Sequence, residues 1–131
     1  MGAVAVMADV ALAANPDQHP HEIVRSDRLE TAGGTTAAAS AWAGYLALVN
    51  QCRFQKGLPR LGFVNPHLYR LGLAQQQRQT NSGGIFHDIT QGSNGAYQAS
   101  VGWDAVTGWG SMDGRRLMEA LCPGFVSGRC C

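Results

Sequence analysis

The chain is short of charge. Only 15% of its 131 residues are Asp, Glu, Lys or Arg, against 45% hydrophobic residues, and the formal net charge is +1. Free-standing soluble domains carry about a quarter charged residues, so this balance suits a chain that buries much of its surface against something else. Lys and Arg are scattered with no basic block, which argues against nucleic acid and anionic membrane as main partners. No apolar run reaches the ~20 residues of a transmembrane helix. None of the four cysteines, Cys52, Cys122, Cys130 and Cys131, falls in a C-x-x-C pair, so the usual zinc spacing is missing. A Cys52–Cys122 bridge stays open, because sequence alone does not decide it. Cys130 and Cys131 read as a free or mispaired tail. There are no internal repeats and no linker, so the length allows one domain at most.

The opening MGAVAVMADVALAANP has an apolar run and an Ala-x-Ala ending. It lacks the basic residues that precede the apolar core of a secretory signal, and Asp9 interrupts the run. It reads instead as a strand over 3–12 that begins inside a larger fold, ending at the turn Asn15-Pro16-Asp17. Residues 21–32 read as an exposed strand or hairpin. The run 35–54 is the strongest helix, apolar nearly all round and therefore expected to be central and buried. A second helix is expected from Asn65, with Pro66 in its first turn. The Gln-rich 74–84 reads as a polar surface loop, IFHDIT as a short strand, and the Gly-rich 91–114 as tight loop structure. An amphipathic helix closes the chain over 112–122, with Leu117, Met118 and Leu121 on one face.

Several stretches then follow one another in a telling order: DVALAANP, GGTTAAASAWAG, LVNQ, LGFVNPHLY, FHDITQGSNG and GWDAVTGWGS. In this order the chain resembles, from Asp9 to about Leu121, the C-terminal part of the catalytic domain of the sedolisin family, the serine-carboxyl peptidases with a subtilisin-like fold. Ordinary subtilisins share the Gly-Thr-Ser helix start but not the FHDIT and GWDAVTGWG tail. The resemblance implies an α/β fold, the C-terminal portion of a subtilisin-like parallel sheet with flanking helices, incomplete on its own. It assigns 1–122 to a partial peptidase domain and leaves 123–131 as an unmatched tail. The open sheet edge of such a portion invites aggregation or a partner.

The family's nucleophilic serine maps onto Thr36, within Gly34-Thr35-Thr36. A helix start favours a developing negative charge, but threonine adds a methyl group beside the oxygen and stiffens χ1. The family's base and its partner are a Glu and an Asp four residues apart, and its oxyanion acid lies in a Ser-Gly-Asp stretch. Four residues after Glu22, Glu30 and Glu119 stand Ser26, Gly34 and Pro123, and no Ser-Gly-Asp occurs. His19, His21, His67 and His87 sit in no triad motif, and His19-Pro20-His21 reads as loop. Thr36 therefore reads as a helix N-cap or first-turn hydroxyl, and this chain alone as inactive. A second departure is Ser40, where the family commonly has proline.

The family's Ca²⁺ site is better kept. The resemblance places its two carboxylates at Asp88 and Asp104, and its backbone carbonyls at Ile89, Ser100 and Gly102. Calcium is a hard cation that takes six or more oxygens. Taken alone, Asp88 and Asp104 read as loop-turn residues, and it is the ordered motifs that favour calcium. Ser100 departs from the family's usual glycine, a mild change if only its carbonyl is used. Trp103 and Trp109 read as packing for these loops, and Trp42 as core. Implied partners are the missing N-terminal part of the peptidase domain and, once completed, a protein or peptide substrate. An extracellular or acidic compartment follows from the family alone. Two other readings stand beside this one: the tail of an active peptidase made in pieces, and a non-catalytic binding module on the same scaffold.

Overall fold

The computed structural model describes residues 8–18, 20–78 and 83–125. The elements follow in the order β1 (His21–Arg25), β2 (Arg28–Ala32), α1 (Thr35–Gln55), α2 (Asn65–Gln77), β3 (Phe86–His87), β4 (Ser111–Met112) and α3 (Gly114–Leu121). The fold thus mixes helix and strand. Of the two readings of 21–32, strand or hairpin, β1 and β2 form the hairpin, antiparallel with Val24 opposite Leu29. Its two-residue turn puts both Ser26 (φ 51°) and Asp27 (φ 59°) in the left-handed region, the geometry whose twist matches that of paired strands. The hairpin stands in solvent, with Val24 76% and Leu29 67% exposed.

α1 begins where the small-residue run begins. Gly34 caps it at φ 109°, a conformation that only glycine takes freely. The helix is long, as expected, but not buried: Val49 is its one buried residue, while Leu48 is 57% and Phe54 82% exposed. A helix apolar all round needs neighbours on every side, and the described residues cover one side. There the Tyr45 hydroxyl donates to the Gly114 carbonyl at 2.7 Å, Arg53 Nη1 donates to the Leu121 carbonyl at 2.6 Å, and the Asn50 side chain accepts from the Leu61 amide at 2.8 Å. Cys52 and Cys122 are disulfide-bonded, with their Cα atoms 6.3 Å apart, which resolves the pairing that the sequence left open. His19, Cys130 and Cys131 lie outside the described residues, as do 126–131 of the unmatched tail.

α2 starts at Asn65 with Pro66 in its first turn, as expected, but it runs on to Gln77. The surface-loop reading of 74–84 is thereby corrected over 74–77. Alanine and glutamine are good helix formers, and Gln75 has a tertiary partner described below. Residues 79–82 lie outside the described set. β3 and β4 pair antiparallel, Phe86 opposite Met112 and His87 opposite Ser111. Ala11 bridges Ser111 in parallel fashion, and it is all that the described residues show of the strand expected over 3–12, of which 3–7 lie outside them. Among the described residues no parallel sheet forms. α3 is capped by Asp113, whose side chain accepts from the Arg116 amide. It buries Leu117 and Leu121 and half-buries Met118, the face read from the sequence.

The core gathers Val49, Leu61, Leu68, Phe86, Trp109, Leu117 and Leu121. Fully burying a side chain such as Phe86 or Leu117 is worth ~2–3 kcal/mol. Trp109 sits edge-on to Tyr69, ring centroids 5.9 Å apart. Among the described residues no helix is long and apolar enough to cross a membrane.

Candidate functional site

Beyond β3 the chain enters glycine-rich loops that return at 100–110, and two carboxylates hold these loops together. Asp104 is 5% exposed. Its Oδ1 accepts from the Val106 and Thr107 amides, both at 2.8 Å, and its Oδ2 from the Ser100 amide at 3.1 Å. The Thr107 hydroxyl lies 3.1–3.2 Å from both oxygens. Burial pushes the Asp104 carboxyl up, but the hydrogen bonds from Ser100, Thr107 and Val106 outweigh it and hold the group below its ordinary value. The anion is the stable form here because N–H donors aim at it from three directions.

Asp88 differs. Its Oδ2 accepts from the Gly102 amide at 2.8 Å, while its Oδ1 is buried with no hydrogen-bond partner among the described residues. Buried carboxylate oxygens rarely stay unpaired, because desolvating them without compensation is costly. The Thr107 hydroxyl lies 3.5 Å from the Ile89 carbonyl but closer to both Asp104 oxygens, and its one proton serves Asp104. The Ser100 and Gly102 carbonyls accept no backbone hydrogen bond from a described residue. A cavity of about 400 Å³ opens beside Asp88, lined also by Gln76, Val101, Gly102 and Trp109.

These donors are all oxygen: two carboxylates, one with an unpaired buried oxygen, and three loop carbonyls. That is the donor chemistry of a hard cation. Among the described residues no cluster of three or more His, Cys, Asp or Glu side chains forms. Asp104 has most of its lone pairs taken by its own loop. The Thr107 hydroxyl is the donor most easily withdrawn from it, since its proton can rotate away. Asp88 and Gly102 are thus joined directly, as are Asp104 and Ser100, while no shared hydrogen bond among the described residues ties Ile89 to either carboxylate.

Thr36 stands apart. It is the second residue of α1, exposed, and its hydroxyl makes no hydrogen bond with any described residue. The cap position belongs to Gly34, which corrects the N-cap reading of Thr36 and leaves the first-turn reading. The Gly34 amide donates to the Ala14 carbonyl at 2.6 Å, which fixes the helix start against the preceding segment.

Sequence reading missed three contributors. Thr107 is one, and its position three residues after Asp104 is the turn spacing that could have flagged it. Asp9 is the second: its carboxylate accepts from Asn65 Nδ2 at 2.8 Å, and its carbonyl from the Trp109 amide at 3.0 Å. Tyr69 joins it, and its hydroxyl is pushed up by burial first and then by the hydrogen bond and charge of Asp9. Gln75 is the third, and nothing in the run Gln75-Gln76-Gln77 distinguishes it by composition from the two that follow.

No family model matches the chain. Individual relatives do. The chain is 39% identical over 121 residues to kumamolisin of Bacillus sp. (strain MN-32), which is 88% of this chain and 19% of that protein. It is 38% identical over 98 residues to tripeptidyl-peptidase 1 of Canis lupus familiaris, 67% of this chain and 16% of that protein. It is 39% identical over 92 residues to tripeptidyl-peptidase sed1 of Aspergillus fumigatus, 66% of this chain and 13% of that protein. The chain therefore spans less than a fifth of the length of these relatives.

Proposed function

The chain belongs to the sedolisin family as a partial region of it, and from that premise we propose that it supplies the C-terminal part of a sedolisin-like serine endopeptidase, inactive by itself and built around a calcium site. The reading rests on one observation above the others: in a segment 39% identical to kumamolisin, Asp88 keeps a buried oxygen without a partner among the described residues, beside the loop that carries Asp104.

Asp88, Asp104 and the carbonyls of Ile89, Ser100 and Gly102 would hold the cation. Bound calcium would supply a cross-link between the segment after β3 and the 100–104 loop. The chain's own residues do the rest: the Thr107 amide and hydroxyl hold Asp104, and the Ser100 and Gly102 amides orient the two carboxylates.

Catalysis is a separate matter. A hydroxyl nucleophile needs a base to take its proton, and no described residue hydrogen-bonds to the Thr36 hydroxyl. The bare Leu48 and Phe54 on α1 support a covering partner. We assign that role to the remainder of the peptidase domain, whose parallel sheet the Ala11–Ser111 bridge would join. Calorimetric titration of the 131-residue chain with calcium tests the site. Saturable binding with one ion per chain, lost in Asp88→Ala, agrees with the reading, and heats equal to buffer dilution refute it.

A further inference from the structure

β3 is only two residues long, and a two-residue ladder is a weak anchor for the carboxylate that follows it. One edge of β3 pairs with β4. The other edge is held by a side chain. Gln75, near the end of α2, donates from Nε2 to the Phe86 carbonyl at 2.7 Å and accepts at Oε1 from the Phe86 amide at 2.9 Å. The primary amide imitates a neighbouring strand, satisfying both backbone groups of the residue two before Asp88. A buried edge without such pairing would leave an amide and a carbonyl unsatisfied. Space for this contact comes from Gly84, where an added Cβ would run into the Gln75 amide group.

We propose that Gln75 is a positioning residue for cation binding: its side-chain amide, admitted by Gly84, sets the backbone at Phe86 and so fixes where Asp88 stands relative to the 100–104 loop. This rests on the calcium reading above. The role is one that outer partners of metal ligands commonly play, since a ligand is only as well placed as the backbone that carries it. Among the described residues Gln75 hydrogen-bonds to Phe86 and to no proposed ligand. Its effect must pass through Phe86 and His87 to Asp88, whose Oδ2 is gripped from the other side by the Gly102 amide.

Terbium emission provides the test, with Trp103 beside Asp104 as sensitiser and calcium as displacer, on the full 131-residue chain. Wild type is compared with Gln75→Leu, Gln75→Glu, Gly84→Ala and the Gln75→Leu/Gly84→Ala double variant, at a temperature where circular dichroism shows each folded. Gln75→Leu and Gly84→Ala should each weaken half-saturation about tenfold, the lower end of what loss of an outer partner does. Gln75→Glu, which keeps the acceptor and loses the donor, should fall between. The double variant should be no weaker than the worse single, because both changes break one contact. Amide exchange at Phe86 should accelerate in the same variants. Unchanged affinity in folded Gln75→Leu and Gly84→Ala overturns the role of Gln75 and leaves the calcium site standing. If Gln75→Leu fails to fold, Gln75→Glu and Gly84→Ala decide by the same criterion. Absence of calcium-displaceable emission from wild type overturns the calcium reading and the role of Gln75 with it.

Discussion

The Gly102 amide donates to the Asp88 carboxylate at 2.8 Å, across fourteen residues of chain. That bond joins the two loops from which the proposed cation site is made. It depends on Gly102 holding φ at +83°, where an L side chain is strained. Gly102→Ala should cost about 1–2 kcal/mol from backbone strain alone, with more from the Cβ meeting Gln76 Nε2. Urea unfolding of wild type and variant at pH 7 measures it. Equal midpoints would mean that the loop relaxes freely and does not define the site.

Asp104 makes stability depend on pH in a stated direction. Its folded carboxyl titrates below the ordinary value, because hydrogen bonds from Ser100, Thr107 and Val106 outweigh burial. A depressed carboxylate contributes stability that is fully present above the unfolded value and is lost as pH falls through the folded one. At neutral and mildly acid pH, Asp104→Asn should therefore lower stability by about 2 kcal/mol. Thermal midpoints of the two proteins should converge as pH drops below the ordinary aspartate range. A constant gap down to the lowest pH would contradict the assignment.

The Cys52–Cys122 bridge closes a loop with a sequence separation of 70, tying the ends of α1 and α3. On the chain-entropy model a loop of that size contributes about 4 kcal/mol. For a chain with a small core that is a large share of the total. Reduction should lower the denaturation midpoint markedly, and Cys52→Ser/Cys122→Ser should reproduce the effect without reductant. Identical midpoints with and without reductant would show that the bridge contributes nothing.

The hairpin turn is suboptimal. Ser26 and Asp27 both adopt left-handed backbone, where Gly is favoured at the second position. Asp27→Gly should stabilise the chain by about 0.5–1 kcal/mol. The hairpin is exposed and touches little else, so the gain should show as slower amide exchange within 21–32 more than as a raised global midpoint.

Local structure was largely legible in the sequence, and long-range partners were not. Period and turn chemistry predicted α1, the Asn65 helix start and the apolar face of α3, because each depends on residues a few positions apart, and weak alternation left 21–32 open as strand or hairpin. The exposure of α1 was not predicted. An all-round apolar helix tells that it wants neighbours, not whether they are present. α2 ran past its expected end because Gln75 finds Phe86, eleven residues on, and no local pattern announces that pair. Asp9 and Asn65 lie 56 residues apart, and their link was equally invisible. The loop carboxylates Asp88 and Asp104 were proposed as ligands through ordered motifs alone, since an isolated aspartate in a glycine-rich loop reads as a turn.

This chain's residues 9–121 replace the matched segment of kumamolisin, and cleavage of a peptide substrate is followed at acid pH, with Thr36 retained and with Thr36→Ser. The folded graft should be silent, or slower by about a thousandfold or more, with Thr36, and active after Thr36→Ser. Losing a positioned nucleophile costs on that order or more. Full activity with Thr36 retained would contradict the reading that threonine cannot stand in for the family's serine at this position. A folded graft still silent after Thr36→Ser would contradict its assignment as the nucleophile-bearing part of a peptidase.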